Sequence, residues 1–325
     1  IDAPGDPDCG CGPEMRWCAI TSTHQKVSEG FTKDLDMRVA ENIRQDQSYV
    51  ELLTGRYGYV NGPMVDYLRH RREVPATIRL TQSPYDIEGL PELSFPEEDT
   101  WHRIDLGENH SGILTSPAFL LRFQTNRARS DKFYNSFLCQ PFQAPDTGLE
   151  GLEDATATLD LTARPGCNGC HALLEPAAAY WGRWTEQGAG YLDQSLFPPY
   201  EESCERCVTE GYTCSDVCRR YYLSDLIANE QLPYLGMLNS YVFLDNDHQE
   251  HVAEGPELLV KKALGDGRLG QCVSKRAVEH FLSRDIRTEE GDWVDDLMVD
   301  FVSSGYRYKT LVKAIVTSES YRRVR

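Results

Sequence analysis

The C-terminal part of the chain carries apolar residues at the spacing of amphipathic helices. Three successive stripes place apolar side chains at i, i+1, i+4 and i+5, which gives a wide face suited to a protein core. The stripes are Val273, Ala277, Val278, Phe281 and Leu282; Trp293, Val294, Leu297, Met298, Phe301 and Val302; and Leu311, Val312, Ile315 and Val316. The pattern predicts three core-facing helices, with Gly305 in the capping position after the second.

The N-terminal half has a weaker helical period, interrupted by glycine and proline. Leu35, Val39 and Ile43 recur every four residues, and residues 48–51 match a capping box that opens a helix. Other predicted elements are a helix from Pro63, a helix from Ser116, a helix over 131–139, and short strands near 76–81 and 101–106.

Composition and charge limit the classes of partner. Apolar residues make up 40% of the 325 residues, yet no apolar run has the length that a membrane-spanning helix needs. The net charge of −18 disfavours nucleic acid and anionic membranes as partners and favours a partner with a basic docking surface. Solubility alone is the alternative reason for this charge. The opening residues 1–4 suggest a mature N-terminus from which a secretion signal has been removed.

Eleven cysteines indicate an oxidising compartment, so we expect a periplasmic or extracellular protein. Cys204, Cys207, Cys214 and Cys218 surround a glycine turn. On two short antiparallel helices they would form nested disulfides, Cys204–Cys218 and Cys207–Cys214, or bind one zinc ion through four thiolates.

Two cysteines far apart in sequence, Cys139 and Cys272, each lie at the edge of an apolar helical stripe. Elimination of the other cysteines predicts that they form a long-range disulfide, and a free core thiol is the alternative for either one. Cys9, Cys11 and Cys18 then remain in an N-terminal arm and leave one cysteine without an assigned partner.

Residues 167–171 read Cys-Asn-Gly-Cys-His. In an extracytoplasmic chain, C-x-x-C-H is the attachment site of a c-type haem. Cys167 and Cys170 add to the two vinyl groups, and His171 binds the iron from the proximal side. A chance C-x-x-C in a disulfide or on zinc is the alternative. We therefore predict one covalent haem c per chain.

These features together predict a mostly α-helical fold, in which multi-helix domains with long loops are stapled by disulfides around one covalent c-type haem. We expect four segments: a cysteine-rich arm, an N-terminal helical domain, a haem-carrying segment with a cysteine-rich insertion, and a C-terminal helical domain. Their predicted bounds are 1–30, 31–110, 111–235 and 236–325.

Several stretches around the motif share their order with one family. They are SYVELLT at 48–54 with YVN at 59–61, SGILTSPA at 111–118, the motif with Pro176 behind it, GYRYK at 305–309 and AIVTS at 314–318. In this order the chain resembles the planctomycete-type cytochrome-c-like proteins, which are also found in myxobacteria and combine several domains of unknown function. The resemblance spans about 33–70, 102–180 and 268–323, and it implies a helical, extracytoplasmic protein with one covalent haem.

The resemblance does not supply the distal iron ligand. Met237 lies downstream of His171, as the methionine ligand does in many small cytochromes, and a thioether there would raise the reduction potential. His110 is the second candidate, because it stands where the family usually has an arginine. Either residue could instead be an ordinary core residue, and an open or water-bound iron is the third alternative.

The sequence therefore predicts an extracytoplasmic monohaem cytochrome that transfers single electrons, as a subunit or docking partner of a larger redox assembly. One haem on a chain of this size is too sparse to conduct alone, so we expect other haem proteins beside it. Two alternatives remain open: a structural or surface assembly protein that uses haem and disulfides as staples, and a peroxidase-like enzyme with an open iron position.

Overall fold

A computed structural model describes residues 20–73, 84–142 and 158–323 of the chain. Within these ranges the protein is mostly helical, with three disulfides, as the apolar pattern predicts. The described residues contain one sheet, and it has two strands. No helix in the same ranges is both long enough and apolar enough to cross a membrane.

The N-terminal part folds around a long helix and the two-stranded sheet. Its elements are α1 (Ile20–Arg44), α2 (Glu51–Thr54), β1 (Tyr57–Val60), α3 (Gly62–Glu73) and β2 (His102–Asp105). The strands are antiparallel, with Tyr57 opposite Asp105. A buried carboxylate links the helix to the sheet, because Asp34 accepts hydrogen bonds from Arg38 at 2.8 Å and from the backbone of Tyr59 at 2.7 Å.

Eleven further helices, most of them short, follow in chain order in the described residues. They are α4 (Pro117–Arg122), α5 (Asn126–Leu138), α6 (Asn168–Ala178), α7 (Glu202–Thr209), α8 (Asp216–Tyr221), α9 (Asn246–Glu254), α10 (Pro256–Gly265), α11 (Arg268–Leu282), α12 (Gly291–Ser303), α13 (Tyr308–Thr317) and, at the C-terminal end of the described chain, the single turn α14 (Glu319–Arg323). A 3-10 helix, Ala179–Trp181, continues α6 directly.

The largest apolar core extends across most of the chain, from Leu53 to Ile315. In it, α5 packs against both α6 and α11, and α12 packs against α11 and α13. The predicted C-terminal stripes supply much of its buried surface, which confirms α11, α12 and α13 as core-facing helices. Gly305 has a φ of 76° and lies just after α12, in the left-handed position expected of a residue that ends a helix.

Three disulfides confirm the pairing predicted for six cysteines. Cys204–Cys218 and Cys207–Cys214 join α7 and α8 as a nested pair, so these four thiols do not form a zinc site. Cys139–Cys272 joins the end of α5 to α11. The arm cysteines at 9, 11 and 18 lie outside the described residues.

The capping box predicted at residues 48–51 does not form. α2 begins at Glu51, and no side chain caps its N-terminus. Ser48 instead pairs with Arg307 in an antiparallel bridge, and the backbone N–H of Tyr49 donates to the Tyr306 carbonyl at 2.8 Å. Because Ser48 and Tyr49 are held in this long-range pairing, they do not form the predicted cap of α2.

Several boundaries also differ from the sequence pattern. α1 begins at Ile20 rather than near Phe31, and α5 begins at Asn126 because Thr125 caps it by accepting from the backbone of Ala128 at 3.1 Å. β1 was not predicted. β2 confirms the strand expected near 101–106, whereas the strand expected near 76–81 lies outside the described residues.

Removal of the long-range disulfide should destabilise the protein more than removal of the shortest one. Cys139 and Cys272 are 133 residues apart, and Cys207 and Cys214 are 7 apart. Chain-entropy arguments give upper values of about 5 and about 2 kcal/mol for loops of these lengths. We expect Cys139→Ala/Cys272→Ala to lower the unfolding free energy by more than Cys207→Ala/Cys214→Ala, as measured by denaturant unfolding. Equal losses would show that loop closure does not determine the contribution of the long-range disulfide.

Candidate functional site

The C-x-x-C-H motif forms the first turn of α6. Cys167 is the residue that precedes the helix, and the backbone N–H of His171 donates to the Cys167 carbonyl at 3.1 Å. Residues three and four apart lie on one face of a helix, so Cys167, Cys170 and His171 share a face. All three residues are half-buried. The structure therefore brings the three predicted attachment residues together.

The donor set of this turn fits covalent haem attachment. Cys167 and Cys170 take no part in the three disulfides that join the other six described cysteines. Two thiols next to an imidazole match the chemistry of a c-type site.

Glu175 lies one helical turn after His171 and contacts its ring. The Glu175 Oε1 atom is 2.6 Å from His171 Nδ1 and also 2.6 Å from Arg127 Nε, at the start of α5. When Nδ1 carries the proton and donates it to the carboxylate, the lone pair of Nε2 is available to a metal. The carboxylate therefore selects the tautomer that an iron ligand needs.

The other end of α6 is anchored in the core by Trp181. Its side chain is fully buried, and its Nε1–H donates to the Leu114 carbonyl at 3.0 Å. The rings of Phe119 and Phe133 pack against the indole. The motif thus extends from a buried base toward the surface, and Leu173 in the second turn is 65% exposed.

A cleft of about 680 Å³ lies beside α6. This volume falls in the range of about 300–1,000 Å³ typical of small-molecule and cofactor sites. Its lining includes Glu175 and Ala178 of α6, Arg127 of α5, Arg220 of α8, and Trp184. The described residues that line it do not include the attachment residues Cys167, Cys170 and His171, nor Met237 and His110.

Met237 is half-buried against the core cluster that includes Cys204 and Cys218. Its backbone is held on both sides, because its N–H donates to the Tyr234 carbonyl at 2.9 Å and its carbonyl accepts from Leu223 at 2.8 Å. The next residue, Leu238, lines the cleft. The structure thus places Met237 one residue from the cleft wall.

His110 is buried, with both ring nitrogens near protein oxygens. Nε2 is 3.3 Å from the Pro84 carbonyl, and Nδ1 is 3.3 Å from Thr115 Oγ1. The ring packs edge-to-face against Tyr85 and Trp184. Either nitrogen would have to leave its protein partner before it could bind a metal.

Glu175 and Arg127 were not predicted from the sequence as residues of the site. The spacing of four between His171 and Glu175 was available in the sequence, because it places both side chains on one helix face. Arg127 carried no such signal, since it lies 48 residues from Glu175 and the packing of α5 on α6 brings them together.

Comparison with known protein families gives one match. Residues 256–321, from α10 into α14, match a family described as a protein of unknown function (DUF1585). This domain is usually found in cytochrome c-like proteins. The matched range overlaps the C-terminal part of the resemblance, residues 268–323, and does not include α6. Comparison with curated proteins and with solved structures found no match.

The buried His110 should make stability depend on pH. Burial lowers the pKa of His110 to about 4, from an ordinary value of 6.5. Between these values the unfolded chain binds a proton that the folded protein does not, so stability should fall as the pH drops from 6.5 to 4. The unfolding free energy of His110→Gln should vary less steeply over this range, by up to about 1.4 kcal/mol per pH unit. Equal slopes in denaturant unfolding would contradict a buried neutral His110.

Proposed function

We propose that the protein is an extracytoplasmic monohaem c-type cytochrome that transfers single electrons. The observation that carries the proposal is the first turn of α6, where two thiols outside the disulfides share a helix face with an imidazole. The C-terminal match to a domain usually found in cytochrome c-like proteins supports the same class.

Each residue of the site has a distinct role in this proposal. Cys167 and Cys170 would hold the haem as thioethers, and His171 would bind the iron through Nε2. When bound, the haem supplies a one-electron iron couple. Arg127 and Arg220 line the cleft beside α6 and supply positive charge of the kind that pairs with carboxylates.

We propose Met237 as the distal ligand, with His110 as the second candidate. A thioether is a weak hydrogen-bond acceptor, so Met237 loses little on binding iron. His110 would give up a contact with Pro84 or Thr115 in a buried setting, where an unsatisfied polar atom costs about 1–3 kcal/mol. This difference favours the methionine.

The disulfides and the charge support a proposal for the compartment and the partners. Three disulfides are typical of an oxidising environment, which supports a periplasmic or extracellular location. The net charge of −18 would steer the protein toward a redox partner with a basic surface. With one haem on 325 residues, we propose that the protein works as a subunit or docked partner beside other haem proteins.

An electron carrier of this kind would hold its iron through His171 and a second protein ligand, which would leave no position open to an added ligand. We expect a low-spin absorption spectrum in both oxidation states, no binding of carbon monoxide to the reduced form, and a one-electron redox titration. The oxidised form should also show the weak long-wavelength band of an iron–thioether bond. A high-spin iron that binds carbon monoxide and reacts with peroxide would instead favour the peroxidase-like alternative.

Two methionine variants test whether Met237 is the distal ligand that gives this spectrum. Met237→Ala should lose the thioether band and lower the reduction potential, because a thioether ligand raises it. Met298→Ala removes the same side chain from another half-buried position, in α12, and should leave the band unchanged. A band that survives in Met237→Ala would exclude Met237 and assign the thioether to another methionine, whereas a low-spin wild-type spectrum without the band would make His110 the residue to replace.

A further inference from the structure

Glu175 shares one oxygen between a histidine and an arginine. Its Oε1 lies 2.6 Å from His171 Nδ1 and 2.6 Å from Arg127 Nε. Both contacts have the length of strong, charge-assisted hydrogen bonds. The proton shared with His171 and the positive charge of Arg127 therefore compete for the same electron density.

The fold holds this arrangement from both sides. His171 and Glu175 are four residues apart on α6, and Arg127 lies in the first turn of α5, which packs against α6. The far end of α5 is fixed by the Cys139–Cys272 disulfide. The three side chains thus meet where two core-packed helices approach each other.

The exposed fractions of the side chains indicate which of the two contacts of Glu175 is less screened by solvent. The side chains of His171 and Glu175 are 22% and 21% exposed, whereas that of Arg127 is 51% exposed. Solvent screens an ion pair to a half-exposed arginine. The contact between Glu175 and His171 should therefore have the larger effect on the electronic properties of the imidazole.

A carboxylate on the far nitrogen of a metal-bound histidine makes that histidine a stronger electron donor. A stronger donor stabilises ferric iron relative to ferrous iron and so lowers the reduction potential. A cation on the same carboxylate withdraws part of that donation and acts in the opposite direction.

We propose that Glu175 is a positioning residue that orients His171 and lowers the reduction potential of the haem iron, and that Arg127 limits this effect through the shared oxygen. The inference rests on the proposed haem function. It adds two opposed side chains that set the potential at which the protein accepts an electron.

The test is the reduction potential of the haem-loaded protein, measured by spectroelectrochemical titration. Glu175→Gln should favour reduction by about tenfold, an upward shift of about 59 mV for a one-electron couple. Arg127→Gln should shift the potential downward by a smaller amount. Arg220→Gln removes a cation from the same cleft, and its downward shift should be smaller than that of Arg127→Gln.

A double variant distinguishes an effect of Arg127 through the shared Glu175 oxygen from a direct effect of its charge on the haem iron. If Arg127 acts through Glu175, Arg127→Gln should have little further effect in a Glu175→Gln protein, because the oxygen that couples them has lost its charge. Additive shifts would overturn the coupling. The hyperfine-shifted proton resonances of the His171 ring in the ferric form should also move in Glu175→Gln, because they follow the donor strength of the imidazole.

The outcomes distinguish this inference from the proposed function. A wild-type protein without covalent haem would overturn the function and the inference together. A haem-loaded Glu175→Gln protein with an unchanged potential would overturn the inference and leave the function standing. If Glu175→Gln does not fold, Arg127→Gln still carries the test, because it retains both His171 and Glu175; an unchanged or raised potential in that variant would contradict the proposal.

Discussion

The burial of Trp181 is the constraint on which the geometry of the candidate site depends. The indole is fully buried between Phe119 and Phe133, and it donates a hydrogen bond to the Leu114 carbonyl. Because Trp181 ends the 3-10 helix that continues α6, this helix cannot shift without opening the core. Truncation of a buried aromatic of this size typically costs about 3–5 kcal/mol, a large part of the net stability of about 5–15 kcal/mol of a typical protein. The burial of Trp181 therefore fixes the C-terminal end of α6, and with it the position of the half-buried first turn.

Helix α5 connects this base to the rest of the protein. Its first turn supplies Arg127, which contacts Glu175, and its C-terminal end carries Cys139, which is joined to Cys272 on α11. The C-terminal helices that match DUF1585 are thereby linked to the C-x-x-C-H turn, although the match itself does not include that turn. A disulfide at one end of α5 and a polar contact at its other end thus connect the C-terminal helices with the C-x-x-C-H turn.

The sequence predicted the features that depend on local period or on elimination. The stripes of α11, α12 and α13, the nested disulfides of α7 and α8, and the Cys139–Cys272 disulfide are all present in the structure. What it missed depends on residues far apart in the chain. Ser48 pairs with Arg307 instead of capping a helix, and β1 exists because it pairs with β2. The contact of Arg127 with Glu175 likewise arises only when α5 packs on α6.

The measurement that tests the central claim most directly is the intact mass of the protein under denaturing conditions, after export to the periplasm of cells that attach c-type haem. The account predicts a mass above that of the chain by one haem, with haem staining that survives denaturation. Cys167→Ser/Cys170→Ser should lose both signals, whereas Cys207→Ala/Cys214→Ala, which removes a disulfide instead, should keep them. A wild-type chain without added mass, or haem released on denaturation, would contradict the account.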